Sequence, residues 1–71
     1  MMAWLDLPET VRRPLETVCT PGELEAVKLA AAGLNDREIA DRQRITPQAV
    51  RKRIDRAYHK AKRHPDWRLP A

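Results

Sequence analysis

The stretch NDREIADRQRITPQAVRKRI, residues 35–54, decides how this chain is read. Asn35 with Asp36 and Glu38 is a helix start: Asn caps free amides, Glu bonds back to the cap, and both acids favour the positive helix end. Ile39 and Ala40 then face inward. Thr46-Pro47 starts another helix, because Pro47 disfavours the helical conformation at Thr46 and suits the first helical position itself. The first helix is therefore short, about eight residues, followed by a turn of about three or four. The second, about residues 47–63, carries Val50, Ile54, Ala57 and Ala61 on one face at helical spacing. Its other faces hold Gln48, Arg51, Lys52, Asp55, Arg56, His59, Lys60 and Arg63. A short capped helix, a turn and a longer basic helix form the layout of a helix-turn-helix. Its packing needs are met: Ala40 is small at the crossing, Ile45 plugs the turn, and Val50 and Ile54 pin the second helix. The N-terminal end of that helix stays free to enter a DNA major groove.

Outward from this stretch the chain stays helical. Residues 1–7 read as an arm with apolar Met2, Trp4 and Leu5. A first helix follows from Pro8, with Val11, Leu15 and Val18 on its apolar face. Pro14 should either kink it or mark a new start, since it lacks a donor and crowds the preceding turn. Thr20-Pro21-Gly22-Glu23 is another capped start. Leu24, Val27 and Ala31, widened by Leu29 and Ala30, give its stripe, and Gly33 stops it. His64-Pro65 ends the last helix, and the tail holds Trp67 and Leu69. The expected fold is all-α, a small helix-turn-helix domain of about four helices. Its parts are an arm and helix over 1–19, a core over 20–64 and a tail over 65–71.

At 71 residues the chain is one domain at most. Such a chain buries about 60% of its unfolded surface. Phe is absent and the aromatics are Trp4, Tyr58 and Trp67, so the interior must be Leu, Ile, Val and Ala. A core this small favours a homodimer or a larger partner. No apolar run approaches the ~20 residues of a membrane span, and the N-terminus lacks the regions of a secretion signal. Cys19 is the only cysteine, which excludes an intramolecular disulfide or a cysteine cluster for zinc. It reads as a small buried hydrophobe rather than a reactive thiol, in a reducing cytoplasm. Residues 1–36 carry three basic side chains against six acids, and residues 37–71 carry eleven against four. A basic half of this kind is either a polyanion-binding footprint or a solvated helix face.

The segment from Cys19 to Arg63 resembles the DNA-binding domain of LuxR/GerE-type regulators and region 4 of sigma-70-type factors. TPGELEAVKLAAAGLNDREIA is similar to the Thr-Pro-x-Glu, Ala-x-Gly-Leu and Glu-Ile-Ala pattern of the first. ITPQAVRKRIDRAYHKAKR is similar to the Val-basic-x-Arg-apolar-x-Arg-Ala run of the second, here Val50, Arg51, Arg53, Ile54, Arg56 and Ala57. The resemblance implies a DNA-facing set of Thr46, Gln48, Arg51, Lys52 and Asp55. Arg51 or Lys52 would donate to guanine, Gln48 would pair with adenine and Asp55 would accept from cytosine. For Asp55 a local ion pair with Arg51 or His59 is the competing reading. Arg37, Arg44, Thr46, Arg53, Arg56 and Lys60 are phosphate-contact candidates, whereas Glu38 reads as a capping residue.

Two positions depart from both families. Gln43 stands where an apolar residue is usual, and Arg44 where a turn-tolerant residue such as Gly is. Gln43 is therefore expected to be partly exposed or bonded to backbone, and the turn to be rearranged with Arg44 pointing outward. LuxR-type domains also usually carry a further helix, often for dimerisation. The sequence ends seven residues after His64, without room for it. Trp4, Trp67 and Leu69 are then candidates either for covering the core or for contacting a second subunit or another protein.

Catalysis has little support. His59 and His64 lie on or beside a basic helix with no nucleophile motif or paired acids, and neither a metal nor another cofactor is implied. The leading expectation is a sequence-specific regulator on double-stranded DNA, acting as a dimer; a phage or bacterial source suits its size. The alternatives are a module that binds RNA polymerase or another regulator, and a low-specificity DNA-packaging or architectural factor.

Overall fold

The structure, a computed structural model, describes residues 4–69. Each predicted start gives a helix: α1 (Glu9–Val18), α2 (Pro21–Ala31), α3 (Asp36–Gln43) and α4 (Pro47–Ala61), preceded by a 3-10 turn at Trp4–Asp6. The chain is all-α, without a strand among the described residues. Met2, read as part of the arm, lies outside them.

The caps are those the sequence specifies. Thr20 Oγ1 accepts from Glu23 N at 3.3 Å, and Glu23 Oε1 accepts from Thr20 N at 3.0 Å. Asn35 and Glu38 repeat this reciprocal pair at 2.9 and 3.0 Å, which gives Glu38 its capping role. Thr46 Oγ1 accepts from Ala49 N at 3.1 Å and opens α4.

Two expectations change. Of the two alternatives at Pro14, the new start does not occur: α1 runs through it, and its ring is buried. Its missing N–H leaves the Thr10 carbonyl, four residues back, without an intrahelical donor. The tail uses that vacancy: Arg68 N donates to Thr10 O at 3.2 Å, and Thr10 Oγ1 donates to Arg68 O at 2.9 Å. The stripe on α2 also rotates. Ala26 and Val27 are fully buried, whereas Ala30 is exposed and Ala31 half-buried. Helix α2 packs against both α3 and α4, so its buried face is set by two neighbours rather than one. Ala30 and Ala31 are left lining an open apolar groove with Leu7, Ile54 and Tyr58.

Helix α4 packs against all three other helices. Its Ala57 and Ala61 join Val11, Leu15 and Val27 in one cluster. Its Val50 joins Ala26, Ile39 and Ala40 in the other. Small residues at Ala26, Ala40, Ala57 and Ala61 let the backbones approach closely, and Leu15, Ile39 and Val50 supply the bulk. Trp4, Val18, Cys19, Leu24 and Trp67 cover the first cluster. Trp4 also lies 5.4 Å from Lys28 Nζ in a cation–π contact, and Trp67 stands edge-on to Tyr58 with centroids 6.1 Å apart.

Candidate nucleic-acid interface

The turn between α3 and α4 aims α4, and it is built like the turn after α2. After α2, Leu34 N donates to Leu29 O at 3.1 Å across Gly33, whose φ is 100°. After α3, Ile45 N donates to Ala40 O at 3.0 Å across Arg44, at φ 56° and ψ 45°. Both close with a 6→1 bond across a left-handed residue, but the second has Arg where Gly is favoured. The rearrangement expected at this turn does not occur. Arg44 adopts the left-handed conformation, at a cost of roughly 1–2 kcal/mol for a residue with a Cβ. The closure folds Ile45 back onto the Ile39–Val50 cluster, and the gain from seating that side chain offsets the strain. The Arg44 side chain points outward and is exposed, as expected.

Gln43 is half-buried and fully used. Its Nε2 donates to Gly22 O at 3.0 Å and to Glu25 Oε1 at 3.4 Å, and its Oε1 accepts from Arg53 Nη1 at 3.1 Å. One side chain thereby ties α3 to both α2 and α4. The Arg53 guanidinium lies so close over Gly22 that a Cβ there would stand 2.7 Å from Nη1. Gly22 thus leaves the space that the Arg53 guanidinium occupies, which its place in a helix start does not reveal. Arg53 and Lys60 are both paired within the fold. At 100° per residue both lie on the edge of α4 that faces α2, where Lys60 Nζ bonds to the buried Glu23 carboxylate.

The opposite edge of α4 is open. Gln48, Arg51, Lys52 and Asp55 are all exposed and fall within about 100° of arc. Val50, Ala57 and Ala61 hold the other side of the helix in the core. Arg37, Arg44, Thr46 and Arg56 are exposed as well. The competing reading of Asp55, a local ion pair with Arg51 or His59, is not seen among the described residues: Arg51 Nη2 instead lies 3.2 Å from Asp36 Oδ2, on the first turn of α3. Asp36, Pro47, Gln48, Arg51 and Lys52 together line a shallow crevice where the two helices meet. In the sequence Asp36 signals only a helix start; its place beside Arg51 comes from the helix crossing.

Comparisons of this chain with protein-family models, curated proteins and solved structures match nothing. What this surface can do therefore follows from its own chemistry: an exposed helix edge with donors of both the guanidinium and amide type.

Two titratable groups away from this edge, Glu23 and Cys19, are shifted by their surroundings. Burial opposes ionisation of Glu23, but bonds from Lys60 and from the Thr20 backbone and hydroxyl outweigh it and hold the carboxyl below its ordinary value. Burial, helped by the Glu23 charge and opposed by Lys60, pushes the Cys19 thiol up, away from a reactive thiolate. Among the described residues no group of three or more His, Cys, Asp and Glu is placed to hold a metal ion. No helix among them is long and apolar enough to cross a membrane. Trp4 and Trp67, candidates for subunit contacts, lie half-buried against the core. Leu69 is 66% exposed, and Leu5, not singled out as a contact from the sequence, is 76% exposed.

Proposed function

We propose that this protein is a cytoplasmic, sequence-specific regulator of transcription that binds double-stranded DNA with α4 in the major groove. The observation that carries the reading is the free edge of α4: Gln48, Arg51, Lys52 and Asp55 stand side by side and exposed, while the rest of the helix is fixed by α1, α2 and α3. Arg and Gln are the side chains that bond bidentately to guanine and adenine edges, and Asp accepts from cytosine. The exposed Arg37, Arg44 and Arg56 supply sequence-independent phosphate contacts. The resemblance to LuxR-type domains and sigma region 4 supports the same reading. A dimer on a repeated site would follow from the small core, with Leu5 and Leu69 as its exposed apolar contacts.

The test is a titration of the protein into random duplex DNA at two salt concentrations. Binding should weaken steeply as salt rises, because phosphate contacts release counterions. Within that assay, Arg56→Ala should weaken binding to every sequence alike, and Lys52→Ala should change base preference by about 1–3 kcal/mol. Failure to bind any duplex at low salt would sink the proposal in favour of a protein-interaction module. Binding without base preference would turn it into an architectural factor.

A further inference from the structure

We propose that Asp36 is a specificity-determining residue: it holds the Arg51 guanidinium in the orientation that reads one base pair, without touching DNA itself. The proposal rests on the DNA-binding reading above. Arg51 Nη2 meets Asp36 Oδ2 at 3.2 Å, with the arginine side chain 70% exposed and the carboxylate 38%. An ion pair this open contributes little to stability, about 0–1 kcal/mol, so folding alone does not account for it. Its consequence is conformational. A free arginine at the tip of a helix samples many rotamers, and ordering it on a base opposes binding. Asp36 lies on the first turn of α3, a helix pinned by Ile39 and Ala40 in the core. Its backbone is therefore held in place beside Arg51. The guanidinium has five donors in a rigid fork, so engaging Nη2 leaves donors free to face a guanine.

The arrangement also acts against non-specific contact. A carboxylate in the same crevice as Gln48, Arg51 and Lys52 repels phosphate and occupies Arg51 until a base replaces solvent around it. Removing the charge should thus have opposite effects on the two kinds of binding. In Asp36→Asn, discrimination at the base pair read by Arg51 should fall about five- to tenfold, part of what a bidentate arginine–guanine pair supplies. Affinity for random duplex should rise about twofold as one repulsive charge is lost.

The experiment is selection from a randomised duplex library with wild type, Asp36→Asn and Arg51→Lys, alongside binding to a random-sequence duplex. Support consists of a motif in wild type that loses one base pair in Asp36→Asn, the same base pair that Arg51→Lys loses, with tighter random-duplex binding by Asp36→Asn. An unchanged motif in Asp36→Asn overturns the proposal and leaves DNA reading intact. So does a loss spread evenly over all positions by a variant with native circular dichroism. A wild type that enriches no motif overturns the base-reading proposal and this one together. If Asp36→Asn does not fold, Asp36→Ser decides by the same criteria, because Ser is tolerated in a first helical turn and carries no charge.

Discussion

Replacing Arg44 by Gly should make the protein more stable and a weaker DNA binder at once. Arg44 sits at φ 56°, ψ 45° in the turn that closes α3. The left-handed conformation costs a residue with a Cβ roughly 1–2 kcal/mol and costs Gly almost nothing. Gly gives back part of this through the larger entropy of its unfolded chain, leaving a net gain of about 1 kcal/mol. The side chain is exposed, so little packing is lost with it. For a domain of this size the melting temperature should rise by about 4–8 °C. With a urea slope near 1 kcal/mol/M, the midpoint should move up by about 1 M. Arg44→Ala is the control, because it removes the side chain and keeps the backbone strain; its stability should stay near wild type. In DNA titrations both variants should lose one phosphate contact, lowering the slope of log affinity against log salt by about 0.9. Equal stability of the Gly and Ala variants would refute the strain argument. An unchanged salt slope would refute Arg44 as a phosphate contact.

The remaining expectations concern what holds α4 in place and what pH does to it. Gln43→Leu installs an apolar residue but strands the Arg53 guanidinium, and should destabilise by about 1–2 kcal/mol; adding Arg53→Met should recover most of this, and additive effects in a double-mutant cycle of urea midpoints would show that the two are not coupled. The carboxyl of Glu23 lies below its ordinary value in the folded state. Its contribution is therefore fully present above the unfolded carboxylate value of about 4.3 and is lost as pH falls below it through the folded value. Urea midpoints measured down that acid limb should fall less steeply for Glu23→Gln than for wild type, and parallel curves would refute the role of the Glu23–Lys60 pair.

The fold was legible because its signals are local. Thr20, Asn35 and Thr46 mark three helix starts, and each cap needs only residues within one turn of it. Gly33 marks a stop for the same reason. The apolar positions Val11, Leu15, Ile39, Val50 and Ala57 recur at helical spacing, and all are buried. The exposed edge of α4 with Gln48, Arg51, Lys52 and Asp55 also follows, since it is what remains of the helix once its buried face is known. Glu23 and Glu38 both cap, but only Glu23 is covered by α4 and meets Lys60. That difference is tertiary and has no trace in the two four-residue motifs.

What the tertiary structure decided is everything that depends on one helix crossing another. Arg53 and Lys60 look like free cations beside Arg51 and Arg56, yet helical phase and the position of α2 turn them inward to Gln43 and Glu23. Pro14 looks like a break, yet the tail supplies the donor its neighbour lacks. Arg44 looks incompatible with a tight turn, yet the seating of Ile45 holds it there. Local sequence determined where helices start, stop and face, because those choices are settled within a turn of backbone. Which polar groups are paired, and hence which remain free at the surface, was settled by partners as far as 58 residues away, whose approach only packing brings about.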